Sequence, residues 1–308
     1  MSKIRAYLTD LGRDLRRDWQ IYLLLAPMAI WFAMFLYKPM YGLQIAFKRY
    51  SLYKGIAASE WVGFDHFINL FDNDFFLRAI ENTFLISFYS LLFAFPLPII
   101  LALMFNELRS EMFKRGAQTI TYLPHFISVV IVAGIVINFL SPTTGVLNFM
   151  LEQLGFEKVY FLAKPEYFRP IFIGSNMWKE AGFESIVYLA AIAGVSPTLY
   201  ESAKVDGASR FQMIYKITLP CILPTILIML IIRIGNLVEV GFEYIILLYQ
   251  PSTYETADVI STFIYRSGLQ GAKYDYATAA GLFNAVIAFT LVYTANRISR
   301  RFSKSSLW

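Results

Sequence analysis

Long apolar runs constrain this chain more than any other feature. A helix needs about 20 mostly apolar residues to cross about 30 Å of hydrocarbon. Six stretches meet or approach that length: residues 21–37 (extending toward 47), 82–105, 119–140, 171–194, 219–249 and 277–295. In lipid every backbone N–H and C=O must find its partner within the protein, so such runs predict helices. The fourth is the least uniform, carrying Asn176, Lys179 and Glu180. The fifth would reach about 46 Å at 1.5 Å per residue, more than one crossing needs, so it must tilt, break or project.

Composition removes the soluble alternative. Hydrophobic residues make up 57% of the 308 and charged ones 16%, where soluble domains run at roughly 45–50% and about 25%. A chain of this length has too little interior to hide the excess. Disordered, collagen-like and disulfide-rich classes fall by the same arithmetic, and Cys221, the single cysteine, permits no internal disulfide. The formal charge of +5 does not point to nucleic acid, because the basic residues punctuate the apolar runs instead of gathering in one domain. Membrane lipid is the implied surroundings. Arg13, Arg16 and Arg17 lead straight into the first run with no small-residue cleavage site after it, so that run is expected to be an anchor and not a signal peptide.

Orientation follows from Lys and Arg in the flanking segments. With the N-terminus inside, fifteen basic residues face the cytoplasm: Lys3, Arg5, Arg13, Arg16, Arg17, Arg109, Lys114, Arg115, Lys204, Arg210, Lys216, Arg297, Arg300, Arg301 and Lys304. Nine (Lys48, Arg49, Lys54, Arg78, Lys158, Lys164, Arg169, Arg266, Lys273) face outward. The expected organisation is a cytoplasmic segment at 1–20, an all-α membrane domain of six helices at 21–296, and a cytoplasmic tail at 297–308. The outer segment at 48–80 carries Trp61, Phe64, Phe67, Phe71, Phe75 and Phe76. Anchoring in the interfacial aromatic belt is favoured there over a specific docking surface.

The inner loop at 195–218 has its own design. Ser196 before Pro197 reads as an N-cap with proline in the first turn, with Thr198 and Glu201 as an alternative capping box. A short amphipathic helix through Leu199, Tyr200, Ala203, Lys204 and Val205 can stop at Asp206 and Gly207, since glycine tolerates the left-handed conformation that ends helices. Ser209 and Gln212 then have capping-box spacing for a second helix leading to Leu219 and Pro220. Taken alone, the loop is an ordinary interfacial helix.

Its spacing carries more information. Glu201, Ser202, Ala203, three residues, Gly207, nine residues, Ile217, one residue, Leu219 and Pro220 resembles the EAA signature of ABC importer permeases, departing from it only at Ser202, where the family has alanine. The segments WVGFDHF (61–67), WKEAGF (178–183), YETADVISTFIYRSGLQ (254–270), YATAAGLFNAVI (276–287) and the closing SLW (306–308) are similar to the carbohydrate branch serving oligosaccharides cut from complex polysaccharides. The resemblance implies a type I importer permease fold in the bacterial cytoplasmic (inner) membrane. It also implies a coupling helix at 199–207, a homologous second permease, two copies of a cytoplasmic ATPase holding ATP and Mg, and an extracellular sugar-binding protein.

The chain itself shows no engine. A phosphate cradle needs Gly-Lys within GxxxxGK followed by Ser or Thr, and no Gly-Lys dipeptide occurs. His66 and His125 are too far apart in sequence to suggest a metal site, and no catalytic set is recognisable, so neither a cofactor in this chain nor an enzyme activity is expected. His125 reads as a structural or interfacial residue at an inner helix end. Polar groups within apolar spans tend to face the bundle interior or a water-filled path. In run five Arg233, Asn236, Glu239 and Glu243 recur at helical spacing on one face, either lining a pathway or, in Arg233's case, pairing with Glu239 or with a partner subunit. Gly235 and Asn236 offer a place for that helix to break. Asn284, and Asn176 with Glu180 at the outer end of run four, extend the candidate path, with Trp178 placed to stack on sugar rings. The rival reading is an ion-coupled secondary transporter with Arg233, Glu239 and Glu243 as coupling charges; such carriers often show internal repeats, and none is evident here.

Overall fold

The computed structural model describes residues 17–302, with side chains through residue 297. Lys3, Arg5, Arg13, Arg16, Lys304 and the SLW segment lie outside the described residues, as do the side chains of Arg300 and Arg301. The chain is mostly helical; the departure from the all-α expectation is a two-residue antiparallel ribbon in the outer segment, Lys48–Arg49 against Glu60–Trp61.

Among the described residues four helices are long and apolar enough to cross a bilayer: Trp19–Phe47 (span one), Asp74–Glu107 (span two), Arg210–Gly235 (span five) and Tyr274–Arg297 (span six). Two bent pairs raise the number to as many as six: Glu111–Phe126 with Val129–Leu140 (span three, bent 103°), and Pro165–Ala193 with Pro197–Val205 (bent 70°). Span four below is Pro165–Ala193 alone.

Each irregularity has a local cause. Run three was expected to be one helix, but Pro124 lacks an N–H, and the chain leaves the helix through the tight turn Leu123–Phe126. It passes through extended Ile127 and Ser128, and the Ser128 hydroxyl accepts the Ile131 N–H at 3.4 Å to start Val129–Leu140. The long fifth run breaks where expected. Its helix stops at Gly235, and Phe242–Leu248 begins only after Gly241, whose φ is +27°. Wide π turns at Ala33–Tyr37, Ser90–Ala94 and Ile214–Thr218 come just before Pro39, Pro96 and Pro220, which is how a helix absorbs a missing donor without snapping.

Span four is the central post. Its buried Phe168, Phe172 and Ile173 pack with Ile86 of span two, Val132 and Ala133 of span three, and Tyr244, Ile245 and Leu248 after the fifth-run break. Toward the cytoplasmic end by the expected topology, Tyr188 and Ile192 meet Ala102 and Ile222. Helices in lipid gain little from hiding apolar surface against one another, so close packing and interhelical hydrogen bonds hold such a bundle. Gly182 shows how close: a Cβ there would lie 2.0 Å from the Thr121 carbonyl oxygen. Asn82, fully buried, donates to the carbonyls of Glu255 and Asp258 and accepts from Arg169, fastening the outer loop to spans two and four. In the outer segment Phe76 is fully buried, with Leu70, Ala79 and Phe263, whereas Trp61, Phe64, Phe71 and Phe75 stay exposed, Trp61 and Phe64 around Phe47. Span one is different: none of its most apolar window is buried.

Candidate functional site

Two places gather the residues singled out by the sequence. The first is the inner loop. Pro197–Val205 forms the short helix, ended by Asp206 and then by Gly207 at φ +74°. The Ala208 N–H reaches back to the Ala203 carbonyl at 2.9 Å and the Gly207 N–H to the Lys204 carbonyl at 3.1 Å, the paired bonds of a Schellman motif. Ser196 occupies the N-cap position without capping a backbone N–H; its hydroxyl meets that of Thr198 instead. The Thr198–Glu201 box does not form. The Ser209–Gln212 box does, with both reciprocal bonds, and its helix runs without interruption through Leu219 and Pro220 to Gly235. The Tyr200 hydroxyl lies 2.9 Å from that of Thr218, tying the short helix to the foot of span five. Glu201, Ser202, Lys204 and Asp206 are exposed, and so is apolar Val205, at 89%. A folded, rigidly mounted helix thus presents polar and apolar groups together to open space.

The second place is a cavity of about 500 Å³ beside span four. Asn176, Glu180, Glu239, Glu243 and Asn284 line it, brought there from span four, the fifth-run break and the helix after it, and span six. The Asn284 Oδ1 and the Ser261 hydroxyl, also in its wall, are buried without a protein partner. The arrangement offers carboxylates, amides and a hydroxyl to a polar ligand, in a volume typical of small-molecule sites.

The single helical stripe expected for Arg233, Asn236, Glu239 and Glu243 does not exist. The helix ends at Gly235, so Asn236 caps it, Glu239 lies in the connecting turn and Glu243 begins another helix. Arg233 turns away and pairs at 3.0 Å with Glu184, not with Glu239. Neither Arg233 nor Asn236 lines the cavity. Trp178 is also elsewhere, in a separate apolar recess with Phe139 and Pro170, because its neighbours Asn176 and Lys179 occupy the other side of the helix. Asn176 and Glu180 are not at an outer helix end: span four starts at Pro165, six residues earlier than its apolar run, which puts Glu180 near its middle.

Two site residues were missed. Lys179 lines the cavity and pairs with Glu180. His125, read as a structural residue at a helix end, does lie at the end of the Glu111–Phe126 helix, at the bend of span three; its Nδ1 is 2.6 Å from Glu180 Oε2 and its ring stacks on Phe183 at 3.8 Å between centroids. Glu184 is the other missed residue. The available signal was the spacing of Glu180 and Glu184, one helical turn apart in an apolar run. Removing the Arg233 charge strands that of Glu184. Arg233→Met is therefore expected to cost about 1–3 kcal/mol, read as a lower melting temperature of the purified protein, with Arg233→Met/Glu184→Leu recovering most of it. A double variant no better than the single one would show that the pair holds nothing.

Among the described residues no three His, Cys, Asp or Glu side chains gather to hold a metal.

Comparison with known proteins gives this geometry its context. A family model described as binding-protein-dependent transport system inner membrane component matches residues 94–305. Protein LplB of Bacillus subtilis (strain 168) is 43% identical over 294 residues, covering 96% of this chain and 92% of that one. The polygalacturonan/rhamnogalacturonan transport system permease protein YteP of the same organism is 42% identical, covering 94% and 90%. A solved bacterial ABC transporter involved in the import of the acidic polysaccharide alginate contains a chain 62% identical, with a TM-score of 0.90, covering 96% of this chain and 99% of that one. The same match is found to a bacterial alginate ABC transporter in complex with an alginate pentasaccharide-bound periplasmic protein.

Proposed function

We propose, from the premise that this chain belongs to the family of binding-protein-dependent transport system inner membrane components, a specific role for each of its two sites. The chain is a permease subunit of a carbohydrate ABC importer and not an enzyme, in keeping with the names of YteP and of the alginate importer. The likeness that carries this reading is the 62% identity across 96% of the chain to a polysaccharide importer. The cargo is an oligosaccharide, and the acidic polysaccharides in the relatives' names favour one bearing uronic acids.

The assembly we infer has a second, homologous permease, two ATPase subunits that hold ATP and Mg, and an extracellular binding protein docking on the outer segments. Both termini face the cytoplasm, in the bacterial inner membrane, with six spans. The Pro197–Val205 helix is the coupling element: its small Ser202 and Ala203 permit close approach, and Glu201 and Asp206 offer charges to a partner. The cavity of Asn176, Glu180, Glu239, Glu243 and Asn284 is this chain's share of the cargo path, where a sugar hydroxyl meets the Asn284 Oδ1 and the Ser261 hydroxyl, which no protein group occupies. An ion-coupled carrier is disfavoured because Arg233, one of its three coupling charges, is engaged by Glu184 outside the cavity.

Reconstitution tests the reading. Liposomes holding this chain with its second permease and ATPase, supplied with loaded binding protein, are expected to take up oligouronate only with ATP on the ATPase side. Uptake by this chain alone, driven by a proton or sodium gradient, would replace the importer with the carrier.

A further inference from the structure

The coupling helix does not stand alone on the cytoplasmic side. Span two ends at Glu107, and residues 106–109, the end of that helix and the start of the turn after it, run beside the short helix and enclose with it a cleft of about 460 Å³. Asn106 and Arg109 form one wall; Tyr200, Glu201 and Lys204 form the other. Across the cleft, Arg210 reaches Glu107 at 3.6 Å. Both partners of that pair are well exposed, with side-chain exposures of 54% and 37%, so it orients the walls without locking them.

The charges on the rim are unbalanced. Glu107 and Arg210 neutralise each other, whereas Arg109, Lys204 and Glu201 make no ion pair among the described residues. Two free cations against one free carboxylate leave the opening net positive, and Arg109 and Lys204 come from opposite walls. Tyr200, whose hydroxyl is held by Thr218, gives the cleft a stiff aromatic side.

We propose that this cleft is a socket receiving a carboxylate-bearing segment of the ATPase subunit, gripped between Arg109 and Lys204, so that the ATPase engages the turn after span two as well as the coupling helix. The inference rests on the coupling role proposed above and extends it to a loop outside the EAA signature. Its mechanical consequence is that one inserted group bears on two spans. Movement of the ATPase is delivered to span five through Gly207 and Tyr200, and to the end of span two through the wall that holds Arg109. A bare knob would act on span five alone.

The test uses the whole complex in native membranes, with Cys221→Ser to remove the exposed native thiol. Arg109→Cys and Ala203→Cys are each labelled with a benzophenone maleimide and irradiated, and adducts are identified with antibody to the ATPase. Both positions are expected to capture it. Capture from 203 but not from 109 overturns the socket and leaves the coupling helix standing; capture from neither overturns both. In parallel, Arg109→Glu/Lys204→Glu is expected to lower ATPase co-purification and uptake at least tenfold, with Arg109→Lys close to the parent. Unchanged co-purification and uptake in the double reversal would also overturn the socket.

Discussion

Gly207→Pro is expected to leave the chain inserted in the membrane while cargo uptake and cargo-stimulated ATP hydrolysis both fall at least tenfold. Gly207 sits at φ +74°, and proline locks φ near −65°, so the two conformations cannot coincide. Proline also deletes the N–H that closes on the Lys204 carbonyl, one of the two bonds ending the short helix. The corner between that helix and the foot of span five would then open, and force arriving at one would no longer turn the other. Graded controls separate backbone geometry from bulk. A Cβ at 207 meets nothing within 4 Å, so Gly207→Ala suffers only the left-handed penalty of about 1–2 kcal/mol, and Gly207→Asn, which tolerates that region, less. The expected order of uptake is Gly, Asn, Ala, then Pro. A proline variant that still couples hydrolysis to transport would remove this corner from the mechanism.

Gly182→Ala is expected to be the most damaging glycine-to-alanine substitution among the described residues. Its Cβ would lie 2.0 Å from the Thr121 carbonyl oxygen and 2.5 Å from the carbonyl carbon. Both are backbone atoms of a packed helix, with no flexible end to swing aside. Spans three and four must separate there, at a cost of about 1–3 kcal/mol or more. The nearby contacts between His125 and Glu180, and the stack of His125 on Phe183, would loosen with them. Gly134→Ala is the matched control: it too lies within a membrane helix, but nothing comes within 4 Å of its Cβ, so it should be neutral or gain up to about 1 kcal/mol of helix propensity. Thermal unfolding of the purified complex distinguishes them. Equal melting temperatures for the two variants would mean the close approach is not structurally required.

These two glycines differ in how visible they were beforehand. Gly207 follows a short amphipathic stretch and precedes a Ser–Gln capping pair, so its role as a helix stop is local and can be read along the chain. Gly182 lies inside the fourth run, and nothing within four residues on either side reveals that Thr121 will press against it. The same division runs through the cavity. Glu180, Glu239, Glu243, Asn176 and Asn284 were singled out because polar groups are expensive in hydrocarbon, and they do converge. Arg233, singled out on the same ground, and Trp178, singled out for sugar stacking, point elsewhere.

By itself the sequence determined the solvent, the approximate positions of the apolar crossings, the break after Gly235 and the build of the inner loop. All of these depend on interactions between residues a few positions apart or on bulk transfer from water to lipid. Only the tertiary structure decided that span three bends by 103° at Pro124, that His125 closes onto Glu180, and that Arg233 belongs to Glu184. Those choices rest on which faces of distant helices meet. In a bilayer almost every face of an apolar helix is acceptable to the solvent, so periodicity cannot say which one is turned inward.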